Sequence, residues 1–567
     1  MRDRGKLLNI PTAVAFFALG LSIYLLTMPA DLRNNGDTVD RFMVTQALLH
    51  GRTYVQGPGL PHPTDTRLSP GRHGNYYTIY APGQSVLMAP LYVAGRVASD
   101  VANVPKDFAT AIAARTLDPI LGGLVLAFFY LLALEAGFRR RTAILITLIV
   151  AFASTLWPDV QSGQEQTQVT LAIVMATCFV MRAKLSGERR NKRRWLLLAG
   201  AAIGFGIFTR YDFVIPGAIL FVWASWQLWP GRNTDSGDGS TESATQKSLW
   251  SKLVDVVCPL VLGVAPFILL DAAWNSERYG VPWRIGESAS AQLGFPIWQG
   301  VPNLMVSPGK GLLWYLPLVW LLPFAVRPFW SRCREISLLS IALFICMTLF
   351  YANFIYWHGD PAWGPRYLYP LVPLLVLPLG ELIERFGSLR LTLRGFTIAV
   401  IGLSLAVQLA AVTVDPWRFW YDLVQQRQQA GQIFQWNPRT YGYYWSTNPS
   451  FIPPLYQIAA VKDVVQIGLG DTANQIPLVW KAPTHPSGSS VTAYDRWQAA
   501  GVAERPLDTI GSIWLNDRYQ WFNPVAVPLS LLSRLVIIGL LLIVAAASAL
   551  VLHFQYWYGE EAQLGAG

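Results

Sequence analysis

The chain has 567 residues, of which 53% are hydrophobic and only 14% charged. Soluble domains carry about 25% charged residues, so most of this chain sits in a solvent that penalises charge, and that solvent is lipid. The net charge of +10 does not signal nucleic acid: the basic residues lie between apolar runs instead of forming one contiguous face.

A helix crossing the ~30 Å hydrocarbon core needs roughly 20 mostly apolar residues. Charge-poor runs predict about twelve spans, at 8–28, 117–136, 142–157, 166–182, 195–209, 213–230, 254–273, 311–327, 336–356, 367–383, 395–413 and 535–556. The expected fold class is therefore an all-α polytopic membrane protein. The first run has no small-residue cleavage site after it and reads as a retained anchor.

Lys and Arg in short loops set the orientation. Arg2, Arg4 and Lys6, then Arg139–Arg141, the run from Arg182 to Arg194, Arg327–Arg334 and Arg385–Arg394 fall on one side, expected to be cytoplasmic. A single span over 195–230 would put the Arg327–Arg334 cluster outside, so two spans are expected there, with both termini inside. Residues 1–413 form the expected transmembrane module, with 29–116 as its first external loop. Residues 231–250 read as a flexible cytoplasmic linker, 414–534 as an extracytoplasmic segment rich in Trp, Tyr, Pro, Gln and Asn, and 535–567 as the last span and its tail. The four cysteines, Cys178, Cys258, Cys333 and Cys346, avoid the long external loops, so no external disulfide framework is expected. No CxxC or HExxH pattern marks a metal site.

The chemistry-bearing residues cluster on the external side. After the first span, Asn34-Asn35-Gly36-Asp37-Thr38-Val39-Asp40-Arg41-Phe42 opens a short helix. Asp37 as N-cap with Asp40 three residues on would satisfy free amides; either carboxylate at the membrane surface could also take a proton from a hydroxyl. Next, Tyr76-Tyr77-Thr78-Ile79-Tyr80 before Pro82-Gly83 predicts an extended piece followed by an interfacial helix, with Tyr77 and Tyr80 either anchoring at headgroup level or lining a substrate. Thr209-Arg210-Tyr211-Asp212 offers a local ion pair or a guanidinium for an anion. Ser307-Pro308-Gly309-Lys310-Gly311 puts a cation and free amides at a helix start, which suits phosphate; snorkelling of Lys310 is the plainer reading. The densest stretch, Trp357-His358-Gly359-Asp360-Pro361-Ala362-Trp363-Gly364-Pro365-Arg366, has more Gly, Pro and Trp than a mere connector needs.

Taken in order, NGDTVDRF, YYTIYAPGQS, LWP with downstream Glu165, GIFTRYD, SPGKGLLWYLP and WHGDPAWGPRYLYPLVP resemble the GT-C glycosyltransferases, polytopic enzymes related to protein O-mannosyltransferases and lipid A aminoarabinose transferases. The resemblance covers about residues 30–380. It implies a polyprenyl-phosphate sugar donor reached from the membrane and a glycan, lipid or protein acceptor. It also implies a plasma-membrane location with the active site on the extracytoplasmic side. The essential acid of the family maps to Asp37, with Asp40 nearby. Relatives often carry an adjacent acidic pair where this chain has Asp37-x-x-Asp40, which leaves open which carboxylate acts. The basic contacts to donor phosphate map to Lys310, Arg366 and Arg210. His358, Asp360, Trp363, Tyr77 and Tyr80 are the expected substrate-lining residues. One carboxylate suffices for an inverting displacement; a divalent cation (Mg or Mn) could bridge carboxylate and phosphate, but no ligand set demands one. Two rival readings remain, a lipid-linked-sugar flippase or other transporter, and an inactive relative acting in assembly.

Overall fold

A computed structural model describes residues 9–29, 36–57, 67–228, 253–286, 293–359, 362–414, 452–468, 518–520 and 524–558. The expected linker 231–250, Asp360 and most of the external segment 414–534 lie outside the described residues. What is described is nearly all helix, with two short two-stranded hairpins.

All twelve expected spans fall on helices or interrupted helices. Among the described residues, eight helices are long and apolar enough to cross a membrane, or nine if the pair Arg140–Phe152 and Leu156–Ser162, bent by 45°, counts as one. The other three are Arg189–Thr209, which opens on a run of cations, the 14-residue Val214–Gln227, and the interrupted stretch from Leu312 to Arg332. The interruptions have local causes. Ser154 turns its hydroxyl back to the Val150 carbonyl and accepts from the Leu156 amide, which ends one helix and starts the next. Pro317 lacks the N–H a continuous helix would need, and the chain there becomes a 3-10 turn over Pro317–Leu321.

Residues 195–230 form two helices joined by the 3-10 turn Tyr211–Phe213. The first of them, Arg189–Thr209, packs on Cys258–Tyr279, and the approach is close enough to require glycine. A Cβ at Gly200 would lie 2.2 Å from the Leu260 carbonyl oxygen, and one at Gly263 would lie 2.2 Å from that of Leu197. Small residues that let backbones touch are a general means of joining helices in lipid.

Among the described residues, the cation clusters used to orient the chain gather at one end of the bundle. Arg182 pairs with Glu135 at 3.0 Å and Lys184 with Glu335 at 2.5 Å, while Arg332 pairs with Glu381 and Arg139 with Glu384 at 3.6 Å. Arg140 donates to Asn9 Oδ1 at 2.8 Å and to Gln555 Oε1 at 2.9 Å. The start of the first helix and the close of the last therefore share that end.

At the opposite end lie the hairpin Leu68–Pro70/Tyr76–Thr78, the helix Gly36–Leu49 and the loop before Arg366. The helix Gly83–Ala102 follows the hairpin as expected and shows an apolar outer stripe, Val86, Val93, Val97 and Val101.

Candidate active site

Gly36–Leu49 begins one residue before Asp37, so Asp37 lies inside the first helical turn and is not the residue that precedes it. The expected capping role gives way to tertiary partners. Asp37 Oδ1 accepts a hydrogen bond from the Tyr80 hydroxyl at 2.5 Å, and Oδ2 lies 3.5 Å from Arg366 Nη1. Its side chain is 20% exposed, enough for contact with a substrate. Burial raises the Asp37 carboxyl, but the charges of Arg366, Arg41 and Arg67 and the Tyr80 hydrogen bond outweigh it and lower it from 3.8 to about 2. Burial and the neighbouring Asp37 charge push the Tyr80 phenol well above its ordinary range, so it remains a donor.

From this pair a closed circuit of contacts can be followed. The Arg41 guanidinium lies over the Tyr80 ring at 4.1 Å and pairs with Glu165 at 2.7 Å. Glu165 also holds Arg210 at 3.1 Å, and Arg210 holds Asp212 at 2.7 Å. Asp212 accepts from the Tyr351 hydroxyl at 2.5 Å, and Tyr351 stacks on Tyr367 with ring centroids 4.6 Å apart. The Tyr367 hydroxyl accepts from Arg366 Nη2 at 3.2 Å, which returns to Asp37. Three cations alternate with three carboxylates, and no charge in the circuit is left unbalanced.

Arg278, wholly buried at the end of Cys258–Tyr279, braces two arcs of this circuit. It donates to the Thr78 carbonyl at 2.5 Å beside Tyr80, and to the Tyr211 hydroxyl at 2.6 Å beside Arg210 and Asp212. Below the circuit, Arg210, Asp212, Tyr351 and Tyr367 form the polar end of a crevice whose walls are Val169, Ile173, Phe213, Pro216, Met347, Pro370 and Leu371.

The other expected site residues are placed as follows. Asp40 is buried and pairs with Arg67 at 3.3 Å. Tyr77 is buried and packs on Tyr279, with ring centroids 5.9 Å apart. His358 is buried with its ring at 5.8 Å from Trp357. Trp363 sets the edge of its ring against Tyr315 at 4.8 Å. Asp360 lies outside the described residues. Lys310, expected at donor phosphate, is turned onto the loop before Arg366. Its ammonium is buried and donates to the carbonyls of Ala362 and Gly364, the latter at 3.1 Å. The amides beside it are also engaged: Lys310 N–H donates to Ser307 Oγ at 3.3 Å and Gly311 N–H to the Ser307 carbonyl at 2.7 Å.

Sequence reasoning gave no role to Arg41, Tyr351, Tyr367 or Arg278, and quoted Glu165 only as part of a motif. A buried run of polar residues, Asp159 to Gln168, between two apolar stretches was the available signal for Glu165. Among the described residues, no three His, Cys, Asp or Glu side chains come together as a set that could hold a metal ion.

Residues 88–271 match the family described as dolichyl-phosphate-mannose-protein mannosyltransferase. That match bears out the GT-C resemblance. The match covers 184 of the 567 residues, and with the apolar helices it supports a membrane glycosyltransferase of the GT-C type. Among solved structures, the chain is similar to ArnT from Cupriavidus metallidurans bound to undecaprenyl phosphate, with a TM-score of 0.43 and 13% identity over 83% of this chain and 82% of that one. It is also similar to the archaeal oligosaccharyltransferase AglB from Archaeoglobus fulgidus in complex with an inhibitory peptide and a dolichol-phosphate, with a TM-score of 0.36 and 12% identity over 81% of this chain and 56% of that one. No curated protein matches the chain in sequence.

Proposed function

We propose that this GT-C-type chain transfers a sugar from a polyprenyl-phosphate donor to an acceptor hydroxyl on the extracytoplasmic side of the plasma membrane, with inversion at the anomeric carbon. The observation that carries the reading is the meeting of Asp37 with Arg366, a carboxylate and a guanidinium separated by 329 residues of sequence. The acceptor oxygen attacks the anomeric carbon and its proton goes to Asp37. The bond from that carbon to the phosphate oxygen breaks, and its electron pair stays on the leaving polyprenyl phosphate. Arg366 and Arg210 face the charge that grows there. The matched family is itself described by a dolichyl-phosphate-linked sugar.

Asp37 acts as the base and Asp40 does not, because Asp40 is buried against Arg67. A carboxyl held at about 2 is a weak base. A donor phosphate that draws Arg366 onto itself removes the largest of the lowering charges, so Asp37 gains basicity as the donor binds. Among the described residues, no three His, Cys, Asp or Glu side chains gather to hold a resident divalent cation.

In cells lacking the gene, mass analysis should find one polyprenyl-phosphate sugar accumulated and one sugar missing from an envelope glycan, lipid or protein. Wild-type protein should reverse both changes. Asp37→Ala, inserted at wild-type level, should reverse neither; full reversal by that variant overturns the assignment.

A further inference from the structure

We infer that Lys310 is a positioning residue whose buried ammonium clasps the loop that presents Arg366 to Asp37. The clasp stands on geometry alone, and its effect on lipid binding rests on the transferase reading above.

Lys310 is 1% exposed, and its Nζ donates to two carbonyls of the loop, those of Ala362 and Gly364. The Gly364 carbonyl also accepts the backbone amide of Arg366 at 3.0 Å. One carbonyl oxygen thus joins the Lys310 ammonium to the backbone of the residue whose guanidinium reaches Asp37. An ammonium has only donors to offer, and one taken out of water is costly unless it is bonded. Lys310 therefore stays on these carbonyls, and a phosphate would have to displace them to reach it.

The rest of the loop is fitted to the same position. Gly364 has φ +55, and a Cβ there would lie 2.6 Å from the Tyr315 ring. The Tyr315 hydroxyl returns to the Gly309 carbonyl at 2.6 Å, next to Lys310 itself. The Arg366 side chain runs across Gly359, where a Cβ would come within 2.8 Å of Arg366 Cγ. Removing the ammonium takes this donor from the Ala362 carbonyl, leaves the Gly364 carbonyl with the Arg366 amide, and frees the loop to shift, and Arg366 shifts with it.

The test uses full-length protein in nanodiscs, with undecaprenyl phosphate as the probe and amide hydrogen exchange as a second readout. Lys310→Met keeps the stem and removes the donors. It should speed exchange at residues 362–368 and weaken probe binding by about 10-fold, the scale of one lost charged hydrogen bond. Combined with Arg366→Gln, it should add less than about 2-fold, since a residue that acts through another is not additive with it. Gly364→Ala, which disturbs the loop and keeps the ammonium, should give the same pattern, and it carries the test if Lys310→Met does not fold. Multiplying losses in the double variant, or unchanged exchange at 362–368, would overturn the clasp. If Arg366→Gln leaves probe binding unchanged, the phosphate role of Arg366 falls, and the exchange data still decide the clasp.

Discussion

Asp37 is held by partners that come from far along the chain, and its titration exposes them. The carboxyl sits at about 2, below the 3.8 of an unperturbed aspartate, because Arg366, Arg41 and Arg67 outweigh its burial. A depressed carboxyl is ionised at every pH above its folded value, so this group should impose no acidic loss of kcat/KM between about pH 4 and pH 7. Arg366→Gln removes the largest lowering charge, so the Asp37 carboxyl must rise and the acidic limb must move to higher pH. Profiles of kcat/KM against pH for wild type and variant measure this directly; a limb that does not move removes Arg366 as the partner. The same arithmetic applies to stability. The pairing stabilises the fold above the unfolded value of about 3.8 and loses that contribution as pH falls toward 2.

Helices were legible in the sequence because lipid imposes length and low charge on them, and each expected span found a helix or a broken one. Their contacts were less legible. Gly200 and Gly263 look alike with any other glycine in an apolar run, yet each lies against a carbonyl oxygen of the partner helix. Gly200→Val should force Arg189–Thr209 and Cys258–Tyr279 apart and cost about 2 kcal/mol, the usual scale of overpacking. Gly402, with nothing within 4 Å of a Cβ, should tolerate the same change. Thermal unfolding of both variants in detergent compares them. The site shows the same limit. Asp37, Arg210 and Arg366 were recognisable as chemistry-bearing residues, but charge type does not reveal direction. Lys310 was equally suited to phosphate by type, and it turns its ammonium onto the backbone of another loop. Arg41, Tyr351 and Tyr367 drew no attention because their meaning lies in partners up to hundreds of residues away.

The molecule as a whole is polarised, with paired cations at one end and the Asp37 circuit at the other. The proposed orientation, from positive-inside bias, has the first end in the cytoplasm, and the contacts of Arg140 with Asn9 and Gln555 put the first and last helices at that end together. In a cysteine-free background, His73→Cys on the exposed hairpin turn should react with an impermeant thiol reagent in intact cells. Arg190→Cys should react only after the membrane is opened, and the reverse pattern would invert the topology. The most direct test of the central claim is release of polyprenyl phosphate from a polyprenyl-phosphate sugar by purified protein in nanodiscs with an acceptor extract. The wild type should release it, while Asp37→Asn should fall by at least about 100-fold, the lower range for a lost general base, with unchanged unfolding temperature. Near-equal release by the two proteins would contradict the account.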